Sequence, residues 1–172
     1  MKQRMLDALN AQINAETYSA YIYFSMSAYL KSINLDGFAS WMEAQAMEEL
    51  AHTKKFYDYV HQRGGRIRLA AIDAPQFSWD SPLNVFEEAL AHEAYITGRI
   101  NELVEIAQEE KDHATQIFLQ WFVTEQVEEE ESVGGVVNQL RQVDGIAGGL
   151  FMLDREMGQR SVADTDTEGT EG

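Results

Sequence analysis

Apolar residues recur along this chain in steps of three and four, and four long segments each break their own apolar stripe with polar residues about midway. The first stripe runs Leu6, Leu9, Ile13, Glu16, Ala20, Tyr23, Ser27, Leu30, and the second Met42, Gln45, Glu49, His52, Phe56, Tyr59. The third reads Phe86, Leu90, Glu93, Thr97, Ile100, Val104, and the fourth Leu119, Phe122, Gln126, Glu129, Val133, Val136, Leu140. Such stepping keeps a stripe on one face of a helix. The polar interruptions are therefore predicted to face the inside of a helical bundle.

Local punctuation sets the bounds of these helices. The first is predicted from about Gln3 to Lys31, with an interruption over residues 32–37, and the second ends at Gly64-Gly65, where glycine readily closes a helix. Residues 64–81 hold both prolines and show no helical period. They predict a connection that ends on Ser81 as N-cap, with Pro82 at the first helical position. Extended, these residues reach up to about 60 Å, enough to traverse a bundle roughly 40 Å long, so a third helix parallel to the second can follow. The last pair turns at Glu110-Lys111-Asp112, with Asp112 as the fourth helix's cap, and Gly134-Gly135 invites a bend. A short fifth helix is predicted over Ile146–Met157, presenting Leu150, Leu153 and Met157 to the bundle or to neighbouring subunits.

Two hairpins bring the interruptions level. If the first pair reverses near Asn34, Glu16 and His52 both lie 18 residues from the turn, or roughly 27 Å along the axis. Reversal near Lys111 leaves Glu93 and Glu129 each 18 residues away as well. Glu93, Gln126 and Glu129 also follow Glu16, Glu49 and His52 by the same 77 positions. Four helices thus deliver carboxylate, amide and imidazole groups to one depth.

Composition narrows what those groups do. At 172 residues, with 45% apolar and 10% aromatic residues, the chain fits one domain with a full core. That domain is predicted over 1–158, followed by a disordered acidic tail over 159–172. With no cysteine, any metal must take oxygen and nitrogen ligands. A formal charge of −16 repels nucleic-acid phosphates and suits cations, although acidity also simply keeps proteins soluble. The start lacks an apolar leader region and no stretch matches a membrane span, so a cytoplasmic protein is expected.

Glu49-x-x-His52 sets a carboxylate and an imidazole on adjacent rungs of one helical face, the spacing of di-iron carboxylate bundles. With Glu16, Glu93 and Gln126 converging on it, a metal is expected, because unpaired buried carboxylates each cost several kcal/mol. Oxygen ligands with one imidazole suit iron or manganese, with zinc a further occupant. Glu16, Glu49 and His52 are assigned to a first ion; Glu49, as bridge, Glu93 and Gln126 to a second. Glu48, Glu125, Glu128 and Glu129 can reach a third ion, or else form a solvated acidic face.

Four motifs stand out: Asn14-Ala15-Glu16-Thr17-Tyr18-Ser19-Ala20-Tyr21, Glu48-Glu49-Leu50-Ala51-His52, Ala91-His92-Glu93, and the run from Phe118 to Glu130 with Trp121 and Glu125-Gln126-Val127-Glu128-Glu129. Through them residues 3–158 resemble the non-haem ferritins of bacteria and archaea, and the resemblance carries implications for fold and site. It implies an all-α, ferritin-like four-helix bundle with one long crossover and a short fifth C-terminal helix. It also implies a ferroxidase centre of Glu16, Glu49, His52, Glu93 and Gln126, a third iron at Glu48, Glu125, Glu128 and Glu129, and Tyr23 and Trp121 beside the centre. Family membership would bring a homo-oligomeric cage, usually of 24 subunits, that oxidises Fe(II) with dioxygen or peroxide and stores ferric mineral.

Related families fit less well. Bacterioferritin and rubrerythrin carry a second Glu-x-x-His element, absent here, and Leu50 stands where a haem-binding methionine would be, so no haem is expected. The DNA-protecting mini-ferritins carry a basic tail, whereas this one is acidic. Tyr18, Tyr21, Phe24, Met26 and Tyr29 are expected at subunit contacts; His61, His92 and His113 as surface or structural residues. The alternative to an iron-oxidising storage protein is a non-catalytic metal-binding or structural helical oligomer.

Overall fold

A computed structural model describes residues 1–159 and contains α1 (Gln3–Ser32), α2 (Asp36–Gln62), α3 (Pro82–Glu109), α4 (His113–Val143) and α5 (Gly149–Met157). The sequence-predicted tail falls almost wholly outside the described residues. Both predicted reversal points carry the turn: Asn34 and Lys111 adopt left-handed φ of 60° and 56°. Each lets the next amide reach back five residues, Leu35 N to Leu30 O at 3.0 Å and Asp112 N to Ala107 O at 2.9 Å, which satisfies carbonyls the helix leaves free. Gly64, with φ 69°, ends α2 in the same way through Gly65 N to Val60 O at 2.9 Å. Ser81 and Asp112 cap α3 and α4 by accepting from Asn84 N and Thr115 N.

The crossover tracks α1 from end to end. Asn10 Nδ2 donates to Arg66 O, Asn14 Nδ2 to Ala71 O and Ser25 Oγ to Gln76 O, and Tyr29 packs on Trp79 at 5.4 Å between ring centroids. Since α2 returns antiparallel to α1, this path carries the chain back to the α1–α2 turn, and α3 starts there parallel to α2. The bundle is thus two hairpins joined mainly by α1 against α3.

Burial divides the core into two apolar clusters. One gathers Tyr23, Met26, Leu30, Phe38, Trp41, Phe86 and Val133–Leu140 side chains near the crossover's far end. The other gathers Met5, Leu9, Ile13, Phe56, Ile96, Ile100, Leu119 and Phe122. Between them in every stripe stand the polar interruptions.

Two sequence readings change. Met26 is fully buried and so belongs to the core rather than to a subunit contact, three residues from Tyr23 and four from Leu30, while Tyr29 is partly buried against the same cluster. The fifth helix begins at Gly149, because Gly148 takes a left-handed φ of 76° just before it. Leu150 is exposed, and Leu153 and Met157 carry the packing face. α4 is a single helix across Gly134-Gly135, as the fourth stripe requires.

α5 docks on the start of α2, where Asp154 Oδ1 accepts from Phe38 N at 2.9 Å and supplies the cap that α2 lacks locally. The close approach requires Gly37, whose added Cβ would lie 1.6 Å from Asp154 O. Gly37→Ala is expected to displace α5 and to cost about 1–3 kcal/mol, read as a lower thermal midpoint and new protease cleavage within residues 144–158.

Candidate metal centre

Each helix of the bundle raises its polar residues to one layer between the two apolar clusters. α1 brings Glu16, α2 Glu49 and His52, α3 Glu93, and α4 Gln126 and Glu129; none of the six is more than 6% exposed. Ligand atoms of Glu16, Glu49 and His52 lie within 4.8 Å of one another, as do those of His52, Glu125 and Glu129. His52 joins the two groups: Nδ1 lies 3.5 Å from Glu49 Oε2, and Nε2 lies 3.8 Å from Glu125 Oε1. The edge of its ring meets Trp121, 5.4 Å away between centroids, and the Lys55 ammonium covers the face of that indole.

Hydrogen bonding in the layer is incomplete in one direction only. Glu93 accepts from Tyr23 Oη and, at 3.3 Å, from Gln126 Nε2. Glu129 Oε2 accepts from Gln45 Nε2 at 2.7 Å, and Glu16 Oε1 from Gln12 Nε2 at 2.7 Å. Glu16 Oε2 and both oxygens of Glu49 are buried with no hydrogen-bond partner. A buried carboxylate left this way is unfavourable unless protonated or bound by a cation. The unmatched atoms are acceptors facing one another around an imidazole, a donor set that fits a hard or borderline divalent ion.

Electrostatics point the same way. Burial, reinforced by Glu49, pushes Glu16 up to about 8. Burial and the Glu93 charge push Glu129 up to about 8, and burial outweighs His52 to hold Glu49 at about 7. Glu93 is raised by burial against the donors Tyr23 and Gln126. Burial pulls His52 down, but Glu125, Glu49 and Glu16 more than reverse it, leaving the imidazole well above its ordinary value. Burial and the surrounding carboxylates raise Tyr23, so its phenol keeps its proton.

A pH dependence follows for the metal-free protein. Carboxylates raised from about 4.5 towards 8, and a raised His52, mean that the native state holds more protons than the unfolded one across that interval, so stability falls as pH rises through it. The thermal midpoint in chelator is expected to drop from pH 5 to pH 8.5. A bound divalent ion such as Zn(II) replaces those protons and should flatten or invert the slope.

The other sequence-predicted positions are less enclosed. Glu125 is half-buried within the His52 group, Glu48 is half-buried, and Glu128 is exposed. Glu48 acts on Glu129 electrostatically, while Glu128 joins neither close group of ligand atoms. His92 is structural: Nε2 meets Ser19 Oγ at 2.7 Å, and burial lowers it to about 4. Sequence reasoning missed the roles of Gln12 and Gln45. For Gln12 a signal existed, since it stands four residues, one helical rung, before Glu16; Gln45 likewise precedes Glu49 but donates instead to Glu129 of α4.

Fold and layer together define a four-helix bundle of the carboxylate type, with side chains that could ligate a metal gathered at mid-height. Comparison with known proteins agrees. A family model for the ferritin-like domain matches residues 6–143, and the chain belongs to the ferritin family. A bacterial non-heme ferritin of Bacteroides fragilis is 40% identical over 160 residues, 93% of this chain and 99% of that one. One of Staphylococcus aureus is 37% identical over 161 residues, 94% and 97% of the two chains. Among solved structures, an open pore ferritin from the hyperthermophilic archaeon Archaeoglobus fulgidus superposes with a TM-score of 0.92 at 50% identity, covering 94% of this chain and 99% of that one. No helix among the described residues is long and apolar enough to cross a membrane.

Proposed function

We propose that this protein stores iron and oxidises it on entry, taking Fe(II) and dioxygen or peroxide as substrates and holding ferric mineral inside a homo-oligomeric cage, taken as 24 subunits. Family and fold support iron storage. The observation that carries the oxidation step is Glu49, wholly buried between the two hairpins with neither carboxylate oxygen hydrogen-bonded, where a bridging ligand belongs. Glu16, Glu49 and His52 would hold one Fe(II), and Glu49, Glu93 and Gln126 the other. Each iron gives up one electron, and the pair supplies the two that take dioxygen, with two protons, to hydrogen peroxide. The carboxylates favour the ferric product. Tyr23, protonated, donates to Glu93 and orients it.

Aerobic addition of Fe(II) tests this reading. Ferric absorbance should rise faster than in buffer, with more than one iron oxidised per subunit, and His52→Ala should slow it. A rate equal to that of buffer would leave the non-catalytic reading. A third iron at Glu48, Glu125, Glu128 and Glu129 is proposed on the close approach of His52, Glu125 and Glu129. Glu128→Ala should then alter the iron oxidised per dioxygen consumed while sparing the first two irons; an unchanged ratio removes the third site.

A further inference from the structure

We infer that Gln12 and Arg99 form a positioning relay that fixes the carboxylate of Glu16 for the first metal ion, an inference that rests on the metal reading above. Gln12 is completely buried one rung from Glu16 on α1. Its Nε2 donates to Glu16 Oε1 at 2.7 Å, and its Oε1 accepts from Arg99 Nε of α3 at 2.9 Å. The amide has a donor end and an acceptor end and, alone, could point either way. Guanidinium offers donors only. Arg99 therefore dictates which end of Gln12 faces Glu16, and the end it sends there is the donor.

The consequence for the metal is geometric: a donor on Oε1 ties up that oxygen, so that Oε2, the oxygen without a partner, is the one offered to an ion. Freed from Arg99, the amide could rotate and accept from Glu16 whenever that carboxyl is protonated, which would turn the group away from an ion. The relay also spans the joint between the hairpins, since α1 supplies Gln12 and Glu16 and α3 supplies Arg99 and the metal-layer residue Glu93.

The surroundings of Arg99 support this role. Among the described residues it forms no ion pair, although the chain carries 29 acidic residues. Its contacts are instead neutral oxygens, Gln12 Oε1 and, through Nη1, Tyr95 Oη at 3.2 Å. Half-buried between these two, its head group is held in place without being neutralised by a carboxylate.

The test is anaerobic titration with Co(II), whose visible spectrum reports binding without turnover. In the wild-type protein the tighter Co(II) site should include Glu16, and Glu16→Gln should weaken it. Arg99→Met and Gln12→Leu should each weaken that site about 10-fold, as loss of an outer-shell partner does, and shift its Co(II) spectrum, with the second site unchanged. Because both act through one chain of bonds, the double variant should be no weaker than the worse single variant. Arg99→Lys, which still donates to Gln12, should recover most of the affinity and keeps the test decisive if Gln12→Leu fails to fold. Wild-type affinity and spectrum in Arg99→Met, or losses that multiply in the double variant, would overturn the relay while leaving the metal centre intact. A wild-type protein that binds no Co(II) would overturn both.

Discussion

Glu49→Ala is expected to bring aerobic iron oxidation down to the rate in buffer, a loss on the order of 100-fold or more. Glu49 is the ligand proposed for both ions. Glu49 lies with Glu16 and His52 in one close group of ligand atoms, and Glu93 and Glu129 both act electrostatically on it. Truncating it removes a ligand from each proposed ion, so neither iron is held and the two-electron pairing is lost. His52→Ala removes a ligand from one ion and should cost less. Stopped-flow oxidation at several Fe(II) concentrations separates the cases: Glu49→Ala should show no saturable phase, whereas a saturable phase of wild-type amplitude would mean that Glu49 bridges nothing.

The same residue should act in the opposite sense on stability. Glu49→Met, with similar volume and no charge, is expected to stabilise the metal-free protein by about 3 kcal/mol once the pH exceeds about 7, the cost of ionising a carboxyl that burial raises from 4.5 to about 7 even beside His52. That corresponds to a rise of roughly 5–10 °C in the thermal midpoint. The reason is unfavourable burial: neither oxygen makes a hydrogen bond, and burial outweighs the nearby His52 imidazole to push the group up to about 7. The gain should grow with pH, because the wild-type protein must either keep the proton on Glu49 or bury its charge. In Zn(II) the order should reverse, since only the wild type gains the ion's binding energy. A lower midpoint for Glu49→Met in chelator would mean that the carboxylate is already satisfied without metal. Selection for a site over stability is a familiar compromise, and here both sides fall on one side chain.

Much of this was readable in the chain because helical periodicity fixes which residues face inward. The stripe steps place Leu9, Ile13, Glu16, Ala20 and Tyr23 on one face, and all five are buried. The hairpin depths follow from arithmetic once Asn34 and Lys111 are taken as turns, and a positive φ at each makes them so. What periodicity does not carry is the contact between helices. Gln12 was passed over because its partner Arg99 comes from α3, 87 residues away, and nothing local announces that pairing. Gln45 faces Glu129 across the bundle rather than Glu49 on its own helix, for the same reason. The docking of α5 through Asp154 and Gly37 joins residues more than a hundred positions apart. Periodicity groups Leu150 with Leu153 and Met157, but the left-handed turn at Gly148 delays the start of the helix, and within the single chain Leu150 is exposed while Leu153 is buried.

Anaerobic crystals soaked in Fe(II) examine the central claim most directly, through the anomalous signal of iron in the bundle. The account predicts two peaks in the layer, with Glu49 contributing an oxygen to each and Glu16 Oε2 to the first. A layer without iron at saturating Fe(II), or iron bound only at the surface while Glu49 keeps both oxygens unliganded, would contradict it.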